Sequence, residues 1–221
     1  MRRKSAETRQ CIIDAAYTLF YQSGFMRTGV DAVADAAGIT KRTLYQHFRS
    51  KDDLIAAVLE RQHQMALQRI RKWADQISGK PDQMLMTLFE KLAQWAAGTE
   101  WKGSGFTRAA VEFADLPGHP ARRAARRHKQ KVEMHLAEKL AAQGLDAATQ
   151  VAREVLLLIE GCQSLVLIHG NLDYIDAARH AALILVKNHQ STPGEEVSAS
   201  AIGKSVLRGK ALAQEQGLKP E

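Results

Sequence analysis

Cysteine is nearly missing from the 221 residues: Cys11 and Cys162 stand far apart, in neither a CxxC nor a metal-ligand spacing. A disulfide framework and a zinc ribbon are thereby excluded, and both thiols are expected as buried side chains of a reducing compartment. Proline is almost as scarce, with five in the chain. β-Branched runs are few beside abundant Ala, Leu, Gln, Glu, Lys and Arg, which favours helices throughout. No apolar run is long enough to span a membrane, since the greasiest stretch, 151–169, is broken by Arg153, Glu154 and Glu160. The start, MRRKSAETRQ, leads into an amphipathic segment and not into a signal-peptide core; the expected location is the cytoplasm. Catalytic signatures are missing too. There is no Walker A loop and no dinucleotide fingerprint, and Ser104 in GSGF has no strand before it to make a nucleophile elbow. The eight histidines show neither HxxxH nor HExxH spacing. No enzyme, metal or cofactor is expected.

What is present is positive charge, and it is unevenly placed. The formal net charge is +7. Through Lys51, nine basic residues oppose four acidic ones, so +5 of the +7 lies in the first quarter. That concentration points to phosphate contact more strongly than a whole-chain balance does. Within it lies Gly38 to Leu54, GITKRTLYQHFRSKDDL. Gly38 supplies the permissive backbone of a helix-to-helix turn, Ile39 the apolar plug, and Thr40 an N-cap. In the helix that follows, Leu44 and Phe48 are four apart and face inward, which leaves Lys41, Arg42, Thr43, Gln46 and His47 outward or sideways. Val30 to Ala37 precedes the turn as a short helix with Val33, Ala34 and Ala37 on one face. Together these form a helix-turn-helix whose second helix can read a major groove. Lys41, Arg42 and Gln46 are candidates for base edges, Thr43 for a base or a phosphate. Thr28, at the N-terminus of the first of the two helices, is a candidate phosphate donor.

These residues resemble the TetR family of transcriptional regulators. The similarity is carried by Ile12 to Ala16, Leu19-Phe20, Gly24-Phe25, Thr28, Val30, Val33-Ala34, Ala37-Gly38-Ile39, Thr43 to Phe48, Lys51 and Leu54. Gly29 departs from it, since the family usually has a second Ser or Thr there. The resemblance implies that Tyr45 and His47 contact phosphates, with Lys51 as a phosphate clamp at the start of the next helix. Beyond about residue 60 it is architectural only, and implies a homodimeric repressor released from a near-palindromic double-stranded operator by a small-molecule effector.

The remaining chain reads as helices over 6–22, 51–77, 82–97, 106–114, 121–143, 147–170 and 174–188. The expected class is all-α: a helix-turn-helix domain over 1–51, a larger effector-binding and dimerisation domain over 52–190, and a polar, Gly-rich tail over 191–221. Arg2, Arg3 and Lys4 read first as a tail and second as a minor-groove arm. Arg122, Arg123, Arg126 and Arg127 read as a solvated face. The stretches Ala147–Gly170 and Tyr174–Asn188 are apolar or small on so many sides that a second copy is the expected cover. Candidates for a ligand pocket are Met65, Trp73, Phe89, Trp95, Phe106, Phe113, His128 and Glu160, although each taken singly reads first as core. Glu160 inside LLLIEGC needs a partner, an Arg across the dimer being the expected one, and His128 reads as a hydrogen-bonded core histidine. Two other readings stay open: DNA binding without an effector, and a small-molecule-binding helical protein.

Overall fold

Start and stop signals in the sequence set the helices. Thr40 and Ser104 accept a hydrogen bond from the backbone N–H three residues on, Ser50 does the same for Asp53, and Pro81 and Pro120 occupy first-turn positions where a missing N–H costs nothing. Gly24, Gly38, Gly144 and Gly170 follow helix ends with positive φ, which ends a helix with least strain when no Cβ is present. The computed structural model describes residues 5–75 and 80–189, with the side chains of 70–75 outside the described set. Among the described residues the only regular structure is helical: α1 (Ser5–Ser23), α2 (Val30–Ala36), α3 (Lys41–His47), α4 (Lys51–Asp75), α5 (Pro81–Ala96), α6 (Gly105–Glu112), α7 (Pro120–Ala142), α8 (Ala148–His169) and α9 (Asp173–His189). The expected extension of α4 to Ile77, the basic arm Arg2–Lys4 and the tail lie outside the described residues.

Two apolar clusters hold these helices. The first joins α1, α2, α3 and the front half of α4, with Ile12, Phe20, Val33, Leu44, Phe48, Leu54 and Ile55 buried in it, and it continues into α6 and the start of α7 through Phe106, Phe113 and Ala121. The second joins α5, the end of α7, α8 and α9 around Leu85, Phe89, Leu140, Val155 and Ile175. Each such fully buried Leu, Ile or Phe contributes about 1.5–3 kcal/mol relative to an exposed one. Thus α7 belongs to both clusters, its start in the first and its end in the second.

The arginines of α7 depart from a purely solvated face. Arg122 donates to the Ala114 carbonyl at 2.7 Å, Arg123 to that of Gly118, and Arg127 pairs with Glu60 of α4. They close the turn between α6 and α7 and tie α7 to α4. Among the described residues no helix is long and apolar enough to cross a membrane.

Candidate nucleic-acid interface and the cavity behind it

The turn that presents α3 is built from few parts. Ala37 caps α2 in a helical conformation, Gly38 takes φ +65°, and the Ile39 N–H reaches back to the Ala34 carbonyl at 3.0 Å. Thr40 then starts α3: its hydroxyl accepts from the Thr43 N–H at 3.1 Å and lies 2.9 Å from the Thr43 hydroxyl. Leu44 and Phe48 are buried, with the Arg9 guanidinium 4.9 Å from the centre of the Phe48 ring. Pinned on that side, α3 leaves Lys41, Arg42, Tyr45 and Gln46 exposed, with Thr43 and His47 half-buried at its flanks. This is the donor set that matches guanine edges, adenine edges and phosphates.

Two cations come with partners. Lys41 pairs with Asp31 of α2 at 3.0 Å; the hydrogen bond and the charge of Asp31 raise its pKa. Both side chains are well exposed, so the pair is exchangeable for phosphate. Lys51 donates to the Met26 carbonyl at 3.1 Å, and partial burial lowers its pKa, with Asp52 and Glu112 acting the other way. Thr28 corrects the expectation. It is buried, and its hydroxyl donates to the Gly24 carbonyl at 2.7 Å, with Leu19 O at 3.3 Å. The side chain is thus spent on closing the end of α1 and is not a free phosphate donor.

Behind this front lies a cavity of about 390 Å³ between α1, α4, α5, the 98–104 loop, α6, α7 and α8. Of the eight pocket candidates, Met65, Trp95, Phe106, His128 and Glu160 stand on its wall. Phe89 is instead in the second apolar cluster, and Phe113 is in the first, stacked on His119 at 3.8 Å. The side chain of Trp73 lies outside the described residues. His128 is buried, its ring stacked on Phe106 at 3.7 Å and its Nδ1 2.9 Å from Nδ1 of His63, so one of the two nitrogens carries the shared proton. Burial, then the charges of Lys129 and His63, lowers its pKa to about 3.

Glu160 finds partners within one chain, so it needs no Arg from a second copy. One carboxylate oxygen pairs with Lys129 and the other accepts from the Thr107 hydroxyl at 2.6 Å. Lys129 also reaches Ser104 at 3.2 Å, and its pKa is lowered by burial, against the pull of Glu160. Lys129, Gln163, Tyr17, Tyr21 and Trp101, absent from the sequence-based candidates, also line the cavity. Tyr17 and Tyr21 carried the one usable signal, an i, i+4 aromatic pair on α1.

Helix α6 touches both places. Its Thr107 holds Glu160 on the cavity wall. Next along it, Arg108 donates to the Tyr21 carbonyl at 2.9 Å and pairs with Glu112 at 2.8 Å, and Glu112 accepts from the Met26 N–H at 2.8 Å. Gly24 lies against this pair: a Cβ there would come within 2.7 Å of the Arg108 guanidinium. At the far end of the turn, His119 Nδ1 accepts from Ala121 N–H at 3.1 Å, while Nε2 faces Asp52 of α4 at 3.2 Å.

An all-α chain that presents a short basic helix on a helix-turn-helix has the fold class of a helix-turn-helix transcriptional regulator. Comparison with known proteins agrees: residues 12–58 match the family model for "Bacterial regulatory proteins, tetR family". The transcriptional regulator AcrR of Shigella flexneri is 41% identical over 59 residues, which cover 27% of either protein. The regulator TtgR of Pseudomonas putida is 33% identical over 95 residues, 41% of this chain and 45% of that protein. The chain therefore spans less than half the length of these relatives. The fold extends further: the TetR-family regulator SCO4454 of Streptomyces coelicolor superposes with a TM-score of 0.76 over 84% of this chain and 97% of its own, at 24% identity. All three are transcriptional regulators.

Proposed function

We propose that the chain is a homodimeric, DNA-binding transcriptional repressor that leaves its operator when a small molecule occupies the cavity. The observation that carries the reading is α3, held from inside by Leu44 and Phe48, with Lys41, Arg42, Tyr45 and Gln46 free to enter a groove. Lys41, Arg42 and Gln46 read bases, Thr43 touches a base or a phosphate, and Thr40, Tyr45, His47 and Lys51 sit against the backbone. Such a protein works on the chromosome, in the cytoplasm.

Dimerisation is supported by a stripe on α8, Leu157, Gly161, Leu165 and Ile168, which is exposed over its whole length; Leu157 is 68% and Ile168 71% exposed. Ile184 is likewise exposed on α9, which packs beside α8. Apolar area of this extent needs a cover, and a second copy supplies a two-fold four-helix one. Residues 1–51 then form the DNA-reading part, 52–190 the effector and dimer part, and 191–221 a tail. Two recognition helices in one dimer meet successive major grooves roughly 34 Å apart.

Release runs through α6. A ligand that displaces Glu160 or Thr107 moves the helix whose Arg108 and Glu112 grip the end of α1, and with it the spacing of the two readers. The ligand shifts that equilibrium only by its difference in affinity for the two states. Selection of bound sites from random duplex DNA tests the reading: one near-palindromic sequence should be enriched. Enrichment of no sequence would overturn it.

A further inference from the structure

The cavity wall combines three features that together specify a ligand chemistry. It is aromatic: Phe106 lies flat on His128 at 3.7 Å, and Trp95 meets Trp101 edge-on at 5.8 Å. Such walls favour a flat π system in a space of this size. It is also neutral in sum. The charged side chains on it are Arg69 and Lys129 against Glu100 and Glu160, and the Lys129–Glu160 pair is already closed, with Thr107 on the second carboxylate oxygen. At this pair an anion gains Lys129 only by leaving Glu160 uncompensated, and a cation does the reverse, so the half-buried part of the wall disfavours either charge sign, while Arg69 and Glu100 are exposed to water.

The third feature is a pair of unmet polar atoms. Gln163 is only 7% exposed; its amide nitrogen donates to the Ile159 carbonyl at 3.2 Å, and its Oε1 has no partner. The Trp101 indole N–H, on the 98–104 loop that also lines the cavity, is likewise sealed from water and unpaired. One is an acceptor and the other a donor, and a buried polar atom without a partner is costly enough that pairing it is a strong source of affinity. The terminal torsion of Gln is broad, so a modest rotation turns Oε1 toward an occupant.

We propose that this cavity selects an uncharged, flat aromatic molecule bearing one hydrogen-bond donor, which meets the Gln163 carbonyl, and one acceptor, which meets the Trp101 N–H. The proposal rests on the effector reading for the site but not for the consequence of binding. It is tested by isothermal titration calorimetry on the full chain without DNA, with four bicyclic probes: 6-hydroxyquinoline, naphthalene, naphthoate and N-methylquinolinium. Hydroxyquinoline should bind about tenfold or more tightly than each of the others, as one or two gained hydrogen bonds require. Its advantage over naphthalene should shrink in Gln163→Leu and in Trp101→Phe, while naphthalene binding is kept in both; retained naphthalene binding also shows that the variants are folded. Equal or tighter binding of the carboxylate or the cation would overturn the proposal. So would no saturable binding by any probe, or a hydroxyquinoline preference that survives both substitutions. If the ranking holds but hydroxyquinoline does not loosen the operator complex, the ligand class stands and the release reading fails.

Discussion

Acidification from pH 7 to pH 5 should cost the folded chain about 2 kcal/mol through His128 alone. The imidazole is buried on the ring of Phe106, faces His63 across 2.9 Å, and has the Lys129 ammonium beside it in sequence. Each of these opposes a second positive charge, which is why its folded pKa lies near 3 and not at 6.5. Between those two values the unfolded chain binds a proton that the folded chain refuses. Stability therefore rises with pH across that window and is lost as pH falls through it. From pH 6.5 down to 5 the loss accumulates at about 1.36 kcal/mol per pH unit, which gives the 2 kcal/mol. His63 is pushed in the same direction by burial and adds to it. Urea unfolding of wild type and His128→Gln at pH 7, 6 and 5, at one fixed protein concentration, isolates the effect. Gln can still bond to His63 but cannot be charged. The stability gap between the two proteins should move by about 2 kcal/mol in favour of the variant between pH 7 and 5, roughly a 1 M shift in relative midpoint at a slope of about 2 kcal/mol per M. A gap that stays constant with pH would refute the argument, since it would mean that His128 titrates alike in both states.

Three further outcomes are expected. Thr40→Ala removes the cap of α3, should cost about 1 kcal/mol in urea unfolding, and should weaken binding to every DNA sequence alike; an unchanged midpoint would contradict the cap. Gly24→Ala puts a side chain at φ +93° and against Arg108 and Glu112, so a loss of at least about 1–2 kcal/mol is expected from the backbone alone, read as a lower Tm. Leu157→Arg places a charge in the middle of the exposed α8 stripe and should give a monomer in sedimentation; a dimer that persists at low micromolar concentration would move the interface elsewhere.

The fold was largely legible because its signals are local. Period-3.6 apolar spacing, Thr40 and Ser50 as caps, and glycines after helix ends placed every helix within two residues of its observed ends where those are described. The inward pair Leu44 and Phe48 followed from spacing alone. Pairings between distant elements did not. Thr28 looked free because nothing in its neighbourhood says that its hydroxyl turns back on Gly24, and Glu160 found Lys129 and Thr107 on two helices far away in sequence. Phe89 and Phe113 share with Phe106 the pattern of an inward aromatic; only three-dimensional packing decides which of them meets the cavity.

The claim on which the account turns is that the exposed face of α3 reads bases. It is tested most directly by measuring the affinity of wild type and Arg42→Ala for a selected operator and for each of its single-base variants. Wild type should lose about 1–3 kcal/mol at the base pair that Arg42 contacts, and in Arg42→Ala that penalty should vanish at this one position per half-site while the others remain. Uniform weakening at every position, or an unchanged profile, would contradict it.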